Sequence, residues 1–243
     1  MEFLMSEERE YEHARENKLI LSMIDYEFLQ VLKSTTAFLA GGALTSIFSD
    51  KPINDFDIYS ESEKDTSKIY TYLKSCAKHV MSTDFAETFD YNGTIYQIIS
   101  MPSLTGSFDK IFDMFDFTVC MAAYVFSSEK FYFHNSFFKH LAQRRIVFNN
   151  KTPFPLASLV RTKKYMAKGY TMSNAETVKL AMAINKLDLT DYKVFKSQLM
   201  GIDASILKPM IDKLAEMSII DKEDFLYKVN ELLENAGWMQ NQD

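Results

Sequence analysis

The sequence predicts an α/β (α+β) fold in which a mixed sheet is flanked by helices. An N-terminal helix precedes this part, and a small all-helical domain follows it. Short apolar runs of strand-like composition alternate with helical patterns across residues 35–172, which is typical of a sheet flanked by helices. Asn92-Gly93 separates two strand-like runs and is the strongest short signal for a β-hairpin. From Ser173 onward, apolar residues recur at helical spacing.

These patterns divide the 243-residue chain into three predicted parts. A chain of this length can bury a sizeable core and accommodates one domain or two unequal ones. We expect an N-terminal helical segment at residues 1–34, a larger domain at 35–172, called the head below, and a helical C-terminal domain at 173–243.

The N-terminal segment has the spacing of an interrupted helix over residues 6–33. Ser6 is a suitable N-cap, and Glu7 and Glu8 stand in the first turn, where acidic side chains interact favourably with the helix dipole. Apolar residues then recur every three or four positions. We therefore expect this helix to pack one face on the head.

The head alternates short strands with helices, and its turns are marked by glycine, proline and asparagine. In chain order we expect a strand at 36–40, a helical turn at 43–48, a loop at 50–54, a strand at 55–59, a helix at 64–79, hairpin strands at 84–91 and 94–101, and helices at 117–126 and 156–168. The segment from Phe131 to Phe138 is rich in aromatic residues. Core packing is their commoner use, and base stacking is the alternative.

The C-terminal domain carries several helix-start signals. Ser173 and Glu176 form a capping box, and Thr190, Asp203 and Asp221 open further helices. The domain is acidic overall. We expect it to close one side of a cleft or to bind a protein partner.

Composition indicates a globular protein of the cytoplasm. Hydrophobic residues make up 47% and charged residues 25% of the chain. No apolar run approaches the roughly 20 residues of a membrane helix, and the acidic start differs from a signal peptide, so we expect no membrane association. Two cysteines and four histidines without metal-ligand spacing favour neither a disulfide framework nor a structural zinc site.

The net charge of −6 conceals a strongly basic segment. No Asp or Glu occurs from Lys130 to Ala175, which contains nine Lys and Arg residues, whereas the rest of the chain carries 18 basic and 33 acidic residues. The basic residues of the segment are Lys130, Lys139, Arg144, Arg145, Lys151, Arg161, Lys163, Lys164 and Lys168. Such a field suits a triphosphate or a nucleic-acid backbone, and a solvated basic face is the alternative.

A glycine-rich turn and a pair of carboxylates form the candidate chemical centre. An apolar run leads into Gly41-Gly42, where the lack of a Cβ lets backbone N–H groups approach a phosphate, and Thr45 and Ser46 add hydroxyls. Asp55 and Asp57 alternate along the next predicted strand, so both carboxylates lie on one face. Mg²⁺ prefers one or two carboxylates together with phosphate oxygens. These segments therefore predict phosphoryl-transfer chemistry on a nucleotide.

The order and spacing of these segments resemble the DNA polymerase β nucleotidyltransferase superfamily over roughly residues 35–172. The first match is Gly41-Gly42 with a following Ser or Thr and Asp-x-Asp about a dozen positions later. The segment from Asp116 to Tyr124 is similar to the Arg-Arg-Asp-Phe-Thr-x-Asn-Ala-x-Ala-Tyr motif of the branch with CCA-adding enzymes and bacterial poly(A) polymerases. Leu141 to Ile146 and Pro155 to Gly169 resemble the end of that head domain.

The resemblance implies a nucleotidyltransferase that moves a nucleoside monophosphate from an NTP substrate to a hydroxyl, with an RNA or tRNA 3′ end as the first candidate acceptor and a protein or small-molecule hydroxyl as the alternative. Asp55 and Asp57 are the catalytic and metal-binding candidates for Mg²⁺ or Mn²⁺, and Asp116 is a further candidate ligand. The nucleotide-binding candidates are Gly41, Gly42, Thr45, Ser46, Arg161 and Lys164. The nucleic-acid-binding candidates are Arg144, Arg145 and Lys168.

The sequence departs from the pattern of that branch at three places. Its arginine pair is replaced by Met114-Phe115, which cannot clamp a phosphate, and its nucleotide-selecting Glu-Asp-x-x-Arg motif is missing. The strand after the hairpin turn lacks a third carboxylate and has Gln97 in that region. Asp116 also suits the N-cap of the helix predicted at 117–126.

These departures leave three other carboxylates as substitutes for the third one: Glu87, Asp90 and Asp113. They also leave two further functional classes open. One is a catalytically silent relative that binds nucleotide or RNA. The other is an interaction module that binds a protein through its acidic helical domain.

Overall fold

The structure is a computed structural model and describes residues 13–199, 211–217, 219 and 221–235. Its larger sheet has seven strands in the order β3-β4-β5-β2-β1-β6-β7. The strands are β1 Phe38–Ala40, β2 Phe56–Tyr59, β3 Lys78–Ser82, β4 Ala86–Tyr91, β5 Thr94–Ile99, β6 Ala122–Val125 and β7 Lys130–Phe133. β2 and β5 are parallel, and the other neighbours are antiparallel. The predicted mixed sheet flanked by helices is confirmed.

The helices of the N-terminal part and the head surround this sheet. They are α1 Ala14–Met23, α2 Tyr26–Lys33, α3 Gly42–Ile47, α4 Glu63–Cys76, α5 Phe108–Met114, α6 Phe137–Ala142 and α7 Pro155–Ala167. Short 3₁₀ turns lie at Pro102–Leu104 and Thr118–Cys120. A second, two-stranded parallel sheet joins β8 Arg145–Ile146 to β9 Thr171–Met172.

The predicted N-terminal helix is interrupted, as expected. Asp25 separates α1 from α2 and caps α2, because its Oδ1 accepts hydrogen bonds from the backbone N–H groups of Glu27 and Phe28. Ile20 and Phe28 are fully buried in the same apolar core as the sheet, so both helices pack on the head. The predicted cap at Ser6 lies outside the described residues.

The predicted hairpin is confirmed. β4 and β5 pair from Tyr91 opposite Thr94 to Ala86 opposite Ile99. Asn92 and Gly93 have φ of 55° and 83°, the left-handed values that a two-residue hairpin turn of this type requires.

The helix predicted at 117–126 is wrong. This stretch forms the 3₁₀ turn and then β6, which lies between β1 and β7. Ala122, Ala123 and Tyr124 are fully buried, so the strand is apolar on both faces and lacks the alternation that would separate it from a helix. Asp116 is therefore not the N-cap of a long helix.

The aromatic segment after β6 belongs mainly to the core. Phe131, Phe133 and Phe137 are buried and pack with Phe48 at centroid distances of 5.3–6.0 Å. Phe138 is the exposed exception, at 42%. The packing interpretation of this segment is thus the one that the structure supports.

The described part of the C-terminal region is helical, with α8 Asn174–Ile184, α9 Tyr192–Gln198, a helical stretch at 211–216 and α10 Lys222–Asn235. The helical segments after α8 share a small apolar core that includes Phe195, Leu214 and Phe225, whereas Leu180 of α8 belongs to the core of the head. None of the described helices has the length and apolar character needed to cross a membrane. The domain limits at 34/35 and 172/173 remain predictions.

The predicted helix start at Ser173 is confirmed, because Ser173 caps α8, whereas the predicted capping box and the start at Thr190 need correction. Ser173 accepts the N–H of Glu176, but the carboxylate of Glu176 accepts the N–H of Phe148 instead of turning back to Ser173, because that buried amide needs a partner. Asp191, rather than Thr190, caps α9.

The remaining two starts have different outcomes. Asp221 accepts the N–H of Asp224 at the start of α10, as predicted. Asp203 lies outside the described residues.

Candidate active site

The carboxylate pair, Asp55 and Asp57, lies at the start of the central strand β2. Asp55 directly precedes the strand and Asp57 is its second residue, and both are half-buried. Phe56 and Ile58 are 1% exposed and point into the core on the opposite face. The two-residue period thus places both carboxylates on one face, away from the apolar core.

The glycine turn lies directly against this pair. Gly41 follows β1 and has φ of 83°, and α3 starts at Gly42. A Cβ added at Gly41 would lie 3.6 Å from Oδ2 of Asp57, whereas one added at Gly42 would meet nothing within 4 Å. The turn therefore has open space at Gly42 and a carboxylate beside Gly41.

The two hydroxyl residues after the glycines are buried. The hydroxyl of Thr45 donates to the carbonyl of Val119 at 2.6 Å, which holds α3 to the 3₁₀ turn. Ser46 is 6% exposed. The structure thus gives Thr45 a contact inside the head, and the role of both residues at a phosphate remains a prediction.

Gln97 lies beside the carboxylate pair on the parallel strand β5. It is the register partner of Asp57, and its Nε2 donates to Oδ2 of Asp55 at 2.9 Å. Gln97 thus stands where a third carboxylate was sought in the sequence. It adds an amide to the site rather than a charge.

The other candidates for a third carboxylate have partners elsewhere. Glu87 contacts His79 at 2.8 Å, Asp90 accepts the N–H of Gly93 at the hairpin, and Asp113 pairs with Lys151. Glu87 also lies opposite Ile98, which is buried on the core side of the sheet. Its side chain therefore belongs to the face away from the carboxylate pair.

Asp116 lies in a buried polar cluster. Its side chain is 6% exposed; Oδ1 accepts a hydrogen bond of 2.6 Å from Ser158, and Oδ2 forms an ion pair with Arg161. Both oxygens are thus engaged by α7. Its candidacy as a metal ligand remains a prediction that these contacts do not favour.

Three cations of α7 and its C-cap interact electrostatically with the carboxylate pair. They are Arg161, Lys164 and Lys168, called the α7 cations below. Burial and the charge of Asp55 raise the pKa of Asp57 to about 7, and Lys164 and Arg161 oppose that rise. Burial and Lys164 lower the pKa of Lys168, and Asp55 opposes this. The predicted nucleotide-binding cations are therefore close enough to the predicted metal-binding carboxylates to influence their charge.

Arg144 and Arg145 are both exposed but have different surroundings. A Cβ added at Gly169 would lie 3.2 Å from Nη1 of Arg144. The guanidinium of Arg144 therefore lies beside the residue that directly follows Lys168, the last of the α7 cations. Arg145 lies in β8 and helps to lower the pKa of His140, whose largest cause is burial. A shared nucleic-acid groove for the two arginines remains a prediction.

An apolar ring lies over the glycine turn. Cζ of Phe115 would be 3.9 Å from a Cβ at Gly41, and its ring centroid is 6.0 Å from that of Tyr59. In place of the arginines of the resembled motif, this part of the chain therefore presents an aromatic wall.

Sequence reasoning missed the residues that hold these segments together. Nδ2 of Asn149 donates to the carbonyls of Phe112, Asp113 and Phe115 at 3.3, 3.0 and 2.8 Å. Ser158 was likewise not singled out. Each lies more than 30 positions from its partner, and nothing in the local pattern marks such contacts.

The donor set fits a hard cation shared with a nucleotide. The described residues contain no group of three or more His, Cys, Asp or Glu side chains able to hold a metal. Mg²⁺ needs only one or two carboxylates when phosphate oxygens complete its octahedron, and Asp55 and Asp57 provide them beside an open turn.

The sheet, the glycine turn and the carboxylate pair give the chain the fold of a nucleotidyltransferase head. A crystal structure of a tRNA nucleotidyltransferase complexed with a primer tRNA and an incoming ATP analog has a TM-score of 0.52 and 16% identity, covering 88% of this chain and 61% of that one. A CCA-adding enzyme in complex with CTP has a TM-score of 0.54 and 16% identity, covering 82% and 52%. These likenesses show that the chain shares the fold of those nucleotidyltransferases.

The chain belongs to the Gabija anti-defense 2 family, which matches residues 12–144. A curated relative, Gabija anti-defense 2 of Bacillus phage SPbetaL7, is 34% identical over 233 residues and is matched over 88% of this chain. The chain spans 57% of the length of that relative.

Proposed function

We propose that this protein is a nucleotidyltransferase that transfers a nucleoside monophosphate from an NTP to a hydroxyl. The observation that carries the proposal is the carboxylate pair, which lies against the glycine turn and within electrostatic reach of the α7 cations. Negative side chains for a metal and positive side chains for a triphosphate thus meet at one place. This combination suits phosphoryl transfer, in which catalysis consists mostly of positioning and charge stabilisation.

In this proposal each group has a defined task. Asp55 and Asp57 hold Mg²⁺ or Mn²⁺, which supplies Lewis-acid stabilisation of the charge on the phosphates. Gly41 and Gly42 let the backbone approach the triphosphate, and Arg161 and Lys164 neutralise it.

The reaction itself is an in-line displacement. The acceptor oxygen forms a bond to the α-phosphorus, its proton is released to water, and pyrophosphate leaves. Gln97 holds Asp55 in place through its hydrogen bond but carries no charge to take that proton.

An RNA or tRNA 3′ end is the acceptor that we favour. The exposed Arg144 and Arg145 and the cation Lys168 provide positive charge beyond the triphosphate site, and two proteins of similar fold are in complex with a primer tRNA and with CTP, respectively. We further propose that the activity counters the Gabija defence, after which the family is named. A hydroxyl on a protein of that system, docked through the acidic C-terminal helices, is the alternative acceptor.

A silent nucleotide binder is the second candidate function. The specific observation in its favour is that Gln97 occupies the place of a third carboxylate while Phe115 lies over the glycine turn. Such a protein would bind NTP and metal without turnover.

The test is transfer of label from each α-labelled NTP in MgCl₂ to total RNA and, separately, to purified Gabija proteins. We expect transfer by the wild type and none by the Asp55→Asn, Asp57→Asn variant, with the fold unchanged by circular dichroism. A double variant that retained normal turnover would refute the assignment of the site. Metal-dependent NTP binding without transfer would select the silent binder.

A further inference from the structure

We propose that Asp116 is a positioning residue that holds the guanidinium of Arg161 toward the triphosphate of a bound nucleotide. This inference rests on the proposed function. Asp116 is almost completely buried, and its two oxygens are engaged by Ser158 and Arg161. A guanidinium is planar and rigid, so fixing one edge on a carboxylate also fixes the direction of the opposite edge.

Arg161 lies on the face of α7 whose charged side chains interact electrostatically with the carboxylate pair. Residues three and seven positions apart share a face of a helix, and Arg161, Lys164 and Lys168 have this spacing. The charges of Arg161 and Lys164 both act on Asp57. Asp116 also directly follows Phe115, whose Cζ would lie 3.9 Å from a Cβ at Gly41, so the ion pair of Asp116 and Arg161 is close to the glycine turn. A triphosphate bound at that turn would therefore lie within reach of the guanidinium that Asp116 orients.

Asp116 is itself held by the backbone around it. Its carbonyl accepts the N–H of Asn149 at 2.8 Å, and the side chain of Asn149 binds the carbonyl of Phe115. The hydroxyl of Thr152 donates to the carbonyl of Met114 at 3.0 Å. The segment that carries Asp116 is thus anchored on both sides, which is the supporting shell that a preorganised site requires.

This arrangement explains how a triphosphate could be bound although Met114-Phe115 stands in place of an arginine pair. Neither side chain can donate to a phosphate, and the ring of Phe115 lies against the glycine turn. The guanidinium for the triphosphate then comes from α7, across the site, and Asp116 sets its direction.

The test is a double-mutant cycle on nucleotide binding, with ATP and CTP in MgCl₂ and calorimetry as the readout. The variants are Asp116→Asn, Arg161→Met and their combination. Lys164→Met, alone and combined with Asp116→Asn, is the matched control, because it removes a cation from the same helix face without touching Asp116. Thermal unfolding of each variant reports on the fold.

We expect Asp116→Asn to weaken ATP binding about tenfold, the equivalent of one charge-assisted hydrogen bond. It should leave the MgCl₂ concentration for half-maximal binding unchanged. In the Arg161→Met background the same substitution should have less than about a twofold effect, since residues that act through one another are non-additive. In the Lys164→Met background the full loss should persist.

An unchanged ATP affinity of Asp116→Asn would overturn the inference, and so would equal losses of affinity in the Arg161→Met and wild-type backgrounds. A higher MgCl₂ concentration for half-maximal binding would also overturn it, because Asp116 would then be a metal ligand. If Asp116→Asn does not fold, Ser158→Ala repeats the cycle with a smaller perturbation of the same carboxylate. A wild type that binds neither nucleotide in MgCl₂ or MnCl₂ rejects the proposed function as well. Binding without coupling rejects only the role of Asp116.

Discussion

The two sides of the candidate site are built in different ways. The carboxylate pair lies on a central strand that is paired with β1 on one side and β5 on the other, so backbone hydrogen bonds fix its direction. The α7 cations lie on a helix that is held to the head by side chains, among them the Asp116–Arg161 ion pair and the hydroxyl of Ser158, which donates to Asp116. The position of the carboxylates is thus set by strand register, whereas the position of the cations is set by tertiary contacts.

The largest expected effect concerns the electrostatic strain on the acidic side. The folded-state pKa of Asp57, about 7, lies above its ordinary value of 3.8, so the folded state binds this proton more tightly than the unfolded state does. The associated stability is fully present below about pH 4 and is lost as the pH rises toward 7. At pH 8, Asp57→Asn should therefore raise the free energy of unfolding by on the order of 1–3 kcal/mol, and by less at pH 5.5.

Urea unfolding at pH 8 and pH 5.5 measures this difference. Asp113→Asn is the matched control, because Asp113 pairs with Lys151 at the surface and should change stability by at most about 1 kcal/mol. A gain for Asp57→Asn that is equal at both pH values would contradict the prediction.

The second prediction concerns the basic side. If Lys164 and Lys168 contact an RNA backbone, their binding releases counterions, and the Lys164→Glu, Lys168→Glu variant should lower the slope of log affinity against log salt by roughly two units. Lys163→Glu adds the same kind of charge reversal on α7 at a position that is not among the α7 cations, and it should change the slope less.

Fluorescence anisotropy with a labelled RNA across a salt series gives these slopes. If RNA binding is absent, or if RNA affinity depends on neither the salt concentration nor the charge reversals, the acceptor is a protein or a small metabolite rather than RNA. NTP affinity, measured in parallel, tells whether the two lysines serve the triphosphate alone.

A third prediction tests the glycine turn between the two sides. Gly41→Ala should weaken ATP binding about tenfold, because its Cβ would lie beside Asp57 in the space that the phosphates need. Gly93→Ala is the matched control, since Gly93 has the same φ of 83° and nothing within 4 Å of an added Cβ. Gly93→Ala should lose about 1 kcal/mol of stability from its left-handed turn. Gly41→Ala should lose about 1–3 kcal/mol, because Gly41 combines φ of 83° with ψ of −139°, a region almost exclusive to glycine, and only this variant should lose affinity.

The smallest expected effect on binding is at Thr45. Thr45→Val removes the hydroxyl that donates to the carbonyl of Val119, and the unsatisfied buried acceptor should cost about 1–3 kcal/mol of stability. ATP affinity should be unchanged if this hydroxyl only holds α3. A loss of affinity in the folded variant would instead support the sequence-based assignment of Thr45 to a phosphate.

The features that the sequence predicted well are local. Asn92-Gly93 marks the hairpin because those residues tolerate the left-handed backbone of its turn. The alternation from Asp55 to Ile58 separates a polar face from a core face because the side-chain period of a strand is two. Each of these signals needs only a few neighbouring residues.

The features that it missed depend on distant partners. Residues 117–126 are apolar except for Thr118, and only their position between two strands decides that part of them is a strand. Glu176 caps a distant amide at Phe148 rather than its own helix. Asp116 faces α7, 42 and 45 positions further along the chain. The faces of a strand can be predicted from a few consecutive residues, whereas contacts between residues far apart in the sequence cannot.

Asn149 has a consequence for the way the protein opens. By binding the carbonyls of Phe112, Asp113 and Phe115, it completes the end of α5 from a loop 34–37 residues away, so that helix end cannot form fully before the loop docks. The end of α5, Asp116 and the start of α7 then belong to one cooperative opening unit. Amide hydrogen exchange should show these three segments losing protection together, and Asn149→Ala should speed their exchange while leaving the β4–β5 hairpin protected.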